Sequence, residues 1–116
     1  MVARFNLANL LLRAGDIAGA EVQLRELLKA NPDEPRTNLF LTRALLARSA
    51  EPGEALPFAK TGLDKSTTSE LKALGYFLLA DIYSRQGRRA DVEEALRNAR
   101  YYQARIAPVH ASSRAR

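Results

Sequence analysis

Cysteine and tryptophan are absent, histidine occurs once, and the only methionine is Met1. Without cysteine there can be no disulfide, thiolate metal ligand or thiol nucleophile, and such a chain suits reducing and oxidising compartments alike. The one histidine, His110, stands near the C-terminal end. No histidine pair for a metal and no Ser-His nucleophile system can therefore be assembled on the body of the chain. No apolar run approaches the roughly 18 residues that a bilayer span requires. The N-terminal residues lack the charged, apolar, small-residue order of a secretory signal. The default expectation is a cytoplasmic protein without a membrane span, with the periplasm open if a signal segment precedes these residues. Glycines and prolines number six and five, few enough for each to be read as punctuation.

What is present is ordinary for a folded domain. The 116 residues are 47% hydrophobic and 27% charged, enough for one core and unlike a disordered chain. The net charge of +5 is unevenly placed. Residues 1–84 balance ten Lys/Arg against ten Asp/Glu, whereas residues 85–116 hold eight Arg against three acids, so an acidic partner of the excess charge would meet that end. Fourteen arginines against four lysines fit a GC-rich, bacterial coding sequence as well as a demand for bidentate anion contacts.

Apolar spacing is helical throughout. Leu7, Leu10, Leu11 and Ala14 recur at i, i+3, i+4, i+7 and form the expected packing face of a first helix. Gly15 ends it, and Asp16 is placed as N-cap of a second helix through Ala20, Leu24, Leu27 and Leu28, stopping before Asn31-Pro32. A third helix opens at Pro35 and runs through Leu41, Leu45 and Leu46 to about Arg48. Pro52 opens a fourth with Ala55, Leu56, Ala59 and Leu63 inward, and Pro57 within it predicts a bend or a later start. Thr67 with Glu70 reads as a capping box before a fifth helix over 69–86. After Gly87 a sixth carries Val92, Ala95, Leu96, Ala99 and Tyr102 to about Arg105. Residues 106–116 read as a flexible basic tail.

Six helices on short turns raise the question of repeats. "FNLANLLLRAGDIAGAEVQLRELLKANP", "LFLTRALLARSAEPGEALPFAKTGL" and "FLLADIYSRQGRRADVEEALRNAR" align at a period of about 34 residues. In the first, Leu7, Ala8, Leu11, Gly15, Ala20, Leu24, Leu27 and Pro32 stand where the tetratricopeptide repeat has its signature residues, and the chain resembles that family. The third segment matches at Tyr76, Leu79, Ala80, Tyr83, Gly87, Leu96 and Ala99, with Val92 in place of Ala and no closing Pro. The second is degenerate: Leu41, Thr42 and Leu45 fit, Ser49 replaces the glycine, and one extra turn residue precedes Ala55. The resemblance implies an all-α fold of stacked helix-turn-helix hairpins in a short right-handed superhelix over 2–105, with units of about 2–34, 35–68 and 69–105. Small residues at Ala8, Thr42 and Ala80 would let partner helices approach while leucines fill the space between.

Catalytic motifs fail on inspection. Gly15 follows a helix rather than a strand and lacks the Gly-Lys-Ser/Thr ending of a phosphate loop. "GLDKS" at 62–66 has Asp64 where that motif needs glycine. "KTG" at 60–62 and "SELK" at 69–72 stand in the wrong order for a penicillin-binding site and lack its Ser-Asp-Asn element. Glu21, Glu26, Glu93 and Glu94 read as solvated carboxylates. The expectation is a protein without catalytic residues, metal or cofactor.

The resemblance implies a concave surface formed by the first helix of each hairpin. Its places are filled by Val2, Phe5, Asn9, Leu12 and Arg13; by Arg36, Leu39, Arg43, Leu46 and Ala47; and by Leu74, Phe77, Asp81, Ser84 and Arg85. Five large apolar side chains among them would make an unusual exposed patch, which argues either for a partner segment that covers them or for their place in the core between repeats. The expected function is a non-catalytic interaction module or scaffold holding a protein or peptide partner there, testable by Phe5→Ser and Leu39→Ser. The family's carboxylate clamp for acidic chaperone tails is not expected: Asn9 fits, but Phe5 and Phe77 stand for its lysines and Asp81 for its arginine. The first helix, apolar beyond its packing face, also suggests that the N-terminal edge is covered by a partner subunit, by a second copy in self-association, or by further repeats. The alternative class is RNA or acidic-partner binding through Arg88, Arg89, Arg97, Arg100 and Arg105 beside Tyr101 and Tyr102. It ranks below the groove because Asp91, Glu93 and Glu94 interrupt the basic run.

Overall fold

Six helices follow one another in a computed structural model that describes residues 2–106: α1 (Val2–Ala14), α2 (Ile17–Ala30), α3 (Pro35–Ala47), α4 (Pro52–Lys65), α5 (Ser69–Arg85) and α6 (Arg89–Gln103). His110, the rest of the expected tail from residue 107, and the side chain of Val2 lie outside what is described.

Local chemistry accounts for the helix ends. Asp16 caps α2 as expected, its carboxylate accepting from the Gly19 N–H at 3.0 Å. Glu34 does the same for α3, accepting from the Thr37 N–H at 3.0 Å. The cap of α5 is Thr68, whose hydroxyl accepts from the Leu71 N–H at 3.2 Å. The cap expected at Thr67 is thus displaced by one residue: α5 begins at Ser69, so Thr68 is the residue flanking its first turn, and Leu71 rather than Glu70 stands three positions on. α4 passes through Pro57 without interruption. Pro57 and Gly53 are both exposed, so the Gly53 carbonyl that loses its donor can turn to water instead.

Three turn residues take positive φ: Gly15 at 87°, Ser49 at 60° and Gly87 at 73°. Each reverses the chain between the two helices of a hairpin. The glycine-for-serine exchange seen in the second segment therefore occupies a left-handed position that glycine adopts without steric cost.

Consecutive helices pack against each other, and α3 also touches α1 and α5, so the odd-numbered helices lie side by side. The shortest dimension is 25 Å, which fits two layers of helices each about 10–12 Å across. Leu24, Leu39, Leu41, Leu45 and Ile82 are fully buried. Ala8, Ala20, Ala55, Ala59, Ala95 and Ala99 are buried with them and keep the helices close. Asn38, buried beneath the α2–α3 turn, donates to the carbonyls of Pro32 and Glu34, both at 2.9 Å. The turn's backbone acceptors are satisfied by a residue that sequence reading passed over.

α1 overturns one expectation. Leu7 and Leu10, assigned to its packing face, are 43% and 60% exposed, whereas Phe5 and Ala8 are buried and Leu12 is half-buried against the core. Phe5, Ala8 and Leu12 repeat at i, i+3, i+7 just as Leu7, Leu10 and Ala14 do. A helix apolar on two sides has no preferred face by periodicity alone; the ring of Phe40 opposite Phe5, with centroids 4.9 Å apart, settles the choice.

Candidate partner-binding surface

The surface formed by α1, α3 and α5 is built on aromatic rings. Phe5 from α1 tilts against Phe40 from α3 at an interplanar angle of 55°. Arg36 and Arg43 flank this pair on α3, four residues before and three after Phe40, hence on its face of the helix. The Arg36 guanidinium lies 4.5 Å from the Phe5 centroid, and that of Arg43 lies 5.1 Å from the Phe40 centroid. Both arginines are exposed. Neither has a carboxylate oxygen within 4.0 Å among the described residues.

Beyond Arg43, between α3 and α5, opens a shallow cavity of about 290 Å³ lined by Arg43, Leu46, Ala47, Leu78, Asp81 and Arg85. Arg85 is held in place: its Nε donates to Asp81 at 2.9 Å and its Nη1 to the Leu46 carbonyl at 3.2 Å. Leu46 and Leu78 are 5% and 8% exposed and form an apolar floor, and Ala47 leaves the gap open.

The residues expected on the concave surface divide accordingly. Arg43, Leu46, Asp81 and Arg85 meet at the cavity, Phe77 is exposed on α5, and Arg13 is exposed at the end of α1. Asn9 and Leu12 are half-buried. Of the five apolar side chains expected to form a stripe, only Phe77 stands free. Leu39 is wholly buried, because it turns into the α3–α4 hairpin where Gly62 makes room: a Cβ at Gly62 would come 2.7 Å from the Leu39 side chain. Phe5 is buried under Arg36 and against Phe40, and Leu46 is cavity floor rather than ridge. Phe40 escaped the sequence reading, although its spacing from Arg36 and Arg43 was the available signal.

On the side of α2 and α4 the arginines are neutralised. Glu21, only 16% exposed and not the solvated carboxylate expected, accepts from Arg48 at 2.7 Å and from Arg25 at 2.9 Å. Glu54 bridges to Arg48 at 3.0 Å and to Arg25 at 3.4 Å. The hydrogen bond from Arg48 holds the Glu21 carboxyl below the ordinary glutamate range; burial opposes this, and Arg25 reinforces it.

The alternative basic patch lies along α6 and just beyond. Arg88 is paired with Asp91 at 2.8 Å and stacks 4.4 Å from the Tyr83 centroid. Arg105 lies 3.6 Å from the Tyr101 centroid and donates to the Tyr101 carbonyl at 3.1 Å. Arg89, Arg97 and Arg100 are exposed, as are Glu93 and Glu94 on the same helix. Arg88 and Arg89 share a cavity of about 320 Å³ with Ser84, Gly87 and Val92.

No helix of the described residues is long and apolar enough to cross a membrane, and no metal-holding cluster of His, Cys, Asp and Glu occurs among them. The family model of the tetratricopeptide repeat matches residues 2–44, spanning α1, α2 and most of α3. No curated protein and no solved structure matches the chain.

Proposed function

We propose that the chain, whose residues 2–44 match the family model of the tetratricopeptide repeat, is a non-catalytic protein-interaction module of three such units, about 2–34, 35–68 and 69–105, that seats a segment of a partner protein along α1, α3 and α5. The observation carrying this reading is the gap between α3 and α5, with an apolar floor of Leu46 and Leu78 and a polar rim of Arg43, Asp81 and Arg85. A gap of this kind can bury one side chain of a ligand while the rim fixes its backbone or its charged neighbours. Ala47 is exposed at the last position of α3, so Ala47→Trp fills the gap without touching the core. Peptides selected on the native chain should lose about tenfold or more in affinity for this variant, while its circular dichroism stays unchanged. Undiminished binding would remove the gap from the site.

A second reading is favoured by the first hairpin, on which Leu7, Leu10 and Val22 are exposed. Three large apolar side chains there fit self-association through the N-terminal edge. Light scattering should then give a mass that rises with concentration and falls back in Leu10→Lys. A monomer at every concentration discards this reading. The α6 arginines rank third, because Arg88 and Arg105 are engaged with Asp91 and Tyr101 and the exposed Glu93 and Glu94 would repel a polyanion.

A further inference from the structure

We propose that the partner segment is acidic, and that Arg36 and Arg43 read it: two carboxylates bind the two guanidiniums, and a neighbouring apolar side chain enters the gap floored by Leu46 and Leu78. This rests on the groove reading above and names the chemistry of its occupant.

The argument begins with what each arginine already does. A guanidinium attracted to a ring face spends no N–H donor on a protein acceptor, so its in-plane donors stay available. Those in-plane donors match a carboxylate's two oxygens. The guanidinium carbons of Arg36 and Arg43 lie over Phe5 and Phe40 at 4.5 and 5.1 Å from the ring centroids, which limits the rotamer freedom that a ligand would otherwise have to remove. Neither guanidinium has a carboxylate within 4.0 Å among the described residues, whereas Arg25, Arg48, Arg85 and Arg88 each do. Arg36 and Arg43 thus present charge without an acid on the surface that holds the apolar gap between α3 and α5.

Spacing adds a requirement. Arg36 and Arg43 are two helical turns apart, about 10 Å along α3. A ligand needs acidic groups at about that separation, with its apolar residue beside the one that meets Arg43. Arg85 serves a different purpose: tied to Asp81 and to the Leu46 carbonyl, it walls the gap and carries little free charge.

The same observations disfavour RNA. Single-stranded nucleic acid is held by bases stacking on open aromatic faces. Here Phe5 is buried, Phe40 is half-buried, and each ring has a guanidinium over it. Asp81 on the rim would also repel a phosphate backbone.

The test is a selection of random peptides about 12 residues long on the immobilised native chain. Affinities of the recovered sequences are then measured by fluorescence anisotropy against Arg36→Gln, Arg43→Gln and Ala47→Trp. The expected result is enrichment of Asp or Glu beside an apolar residue, and a loss of about tenfold or more in each arginine variant. Replacing the peptide's Glu by Gln should cost the same factor, and affinity should fall as salt is raised. Both arginines are exposed, so circular dichroism should show each variant as helical as the native chain. Neutral or basic peptides that are sensitive to Ala47→Trp but indifferent to both arginine substitutions would overturn the acidic partner and leave the groove standing. Peptides indifferent to all three variants, or no peptide recovered, would overturn both. A single-stranded RNA that competes with the acidic peptide and needs Arg36 and Arg43 would overturn the assignment to a protein segment.

Discussion

Arg25 and Arg48, between α2 and α4, and Arg36 and Arg43, on α3, are the same residue type kept under opposite conditions. Stacking does not separate them, since Arg25 also lies over a ring, that of Phe58, at 5.7 Å. What separates them is acid. Glu21 and Glu54 each contact both Arg25 and Arg48, so these four side chains tie α2, α4 and the end of α3 together and leave little net charge. Arg36 and Arg43 have aromatic support and no carboxylate within 4.0 Å among the described residues. A count of arginines therefore says nothing about where an anion binds. The first pair joins hairpins, and the second presents charge beside an open gap.

The largest expected effect cuts the connection between the two surfaces. Leu39 sits one residue before Phe40, is wholly buried, and meets α4 at Gly62. Leu39→Ala should cost about 2–5 kcal/mol in a urea melt, because the cavity it leaves is fenced by helices that cannot close in fully. Leu39→Ser should cost at least as much, since it adds a hydroxyl to the vacated space. Leu39→Ser, offered from the sequence as a test of partner binding, is thus a test of stability instead. A loss under 1 kcal/mol, by the scale of exposed positions, would contradict the burial of Leu39.

A smaller loss should follow on the paired side. Glu21→Gln removes the carboxylate shared by Arg48 and Arg25 and should cost about 1 kcal/mol, a figure held down by solvent at the half-exposed arginines. Peptide affinity at α3 should not change. The pH dependence has a definite sign. The folded state holds the Glu21 carboxyl below its ordinary range, so this carboxylate contributes stability above the unfolded glutamate value. The contribution fades as pH falls through the folded value. The stability difference between native chain and Glu21→Gln should therefore be full near neutrality and shrink on acidification below about pH 4.3. A difference that stays constant or grows on acidification would mean that Glu21 is not the charge holding this network.

Helix existence was legible in the sequence because glycines, prolines and capping residues punctuate the chain at nearly every boundary: Asp16, Pro35, Pro52 and Gly87 all act as read. The faces of α2, α4 and α6 were legible too, since each has one apolar stripe against a polar remainder. α1 was not, because Phe5 and Leu12 make a second stripe as apolar as the first, and only the position of Phe40 in another helix breaks the tie. The candidate site was half legible. Arg43, Asp81 and Arg85 stand at the gap, but Leu39 was lost to the core because the absence of a side chain at Gly62, 23 residues further on, draws it inward. Glu21 was read as solvated because its two arginines come from its own helix and from the end of α3, and only the first is visible as spacing.

Ser49 carries the smallest predicted effect and bears on the paired side directly. It follows Arg48, the C-cap of α3, and its φ of 60° turns the chain that follows towards α4, the helix that carries Glu54. At the corresponding turns of the first and third hairpins, Gly15 and Gly87 take the same conformation without a Cβ to crowd the following carbonyl. A serine there bears a steric cost of about 1–2 kcal/mol. Glycine would relieve it, but would also widen the unfolded ensemble, which returns part of the gain. Ser49→Gly should thus raise stability by about 0.5–1 kcal/mol, seen as a higher urea midpoint with an unchanged slope. Combined with Glu21→Gln, the two effects should add if Ser49 only makes the turn. If the gain disappears in the Glu21→Gln background, the left-handed turn is being held by the Arg48 network, and the paired surface shapes the second hairpin as well as joining it to the first.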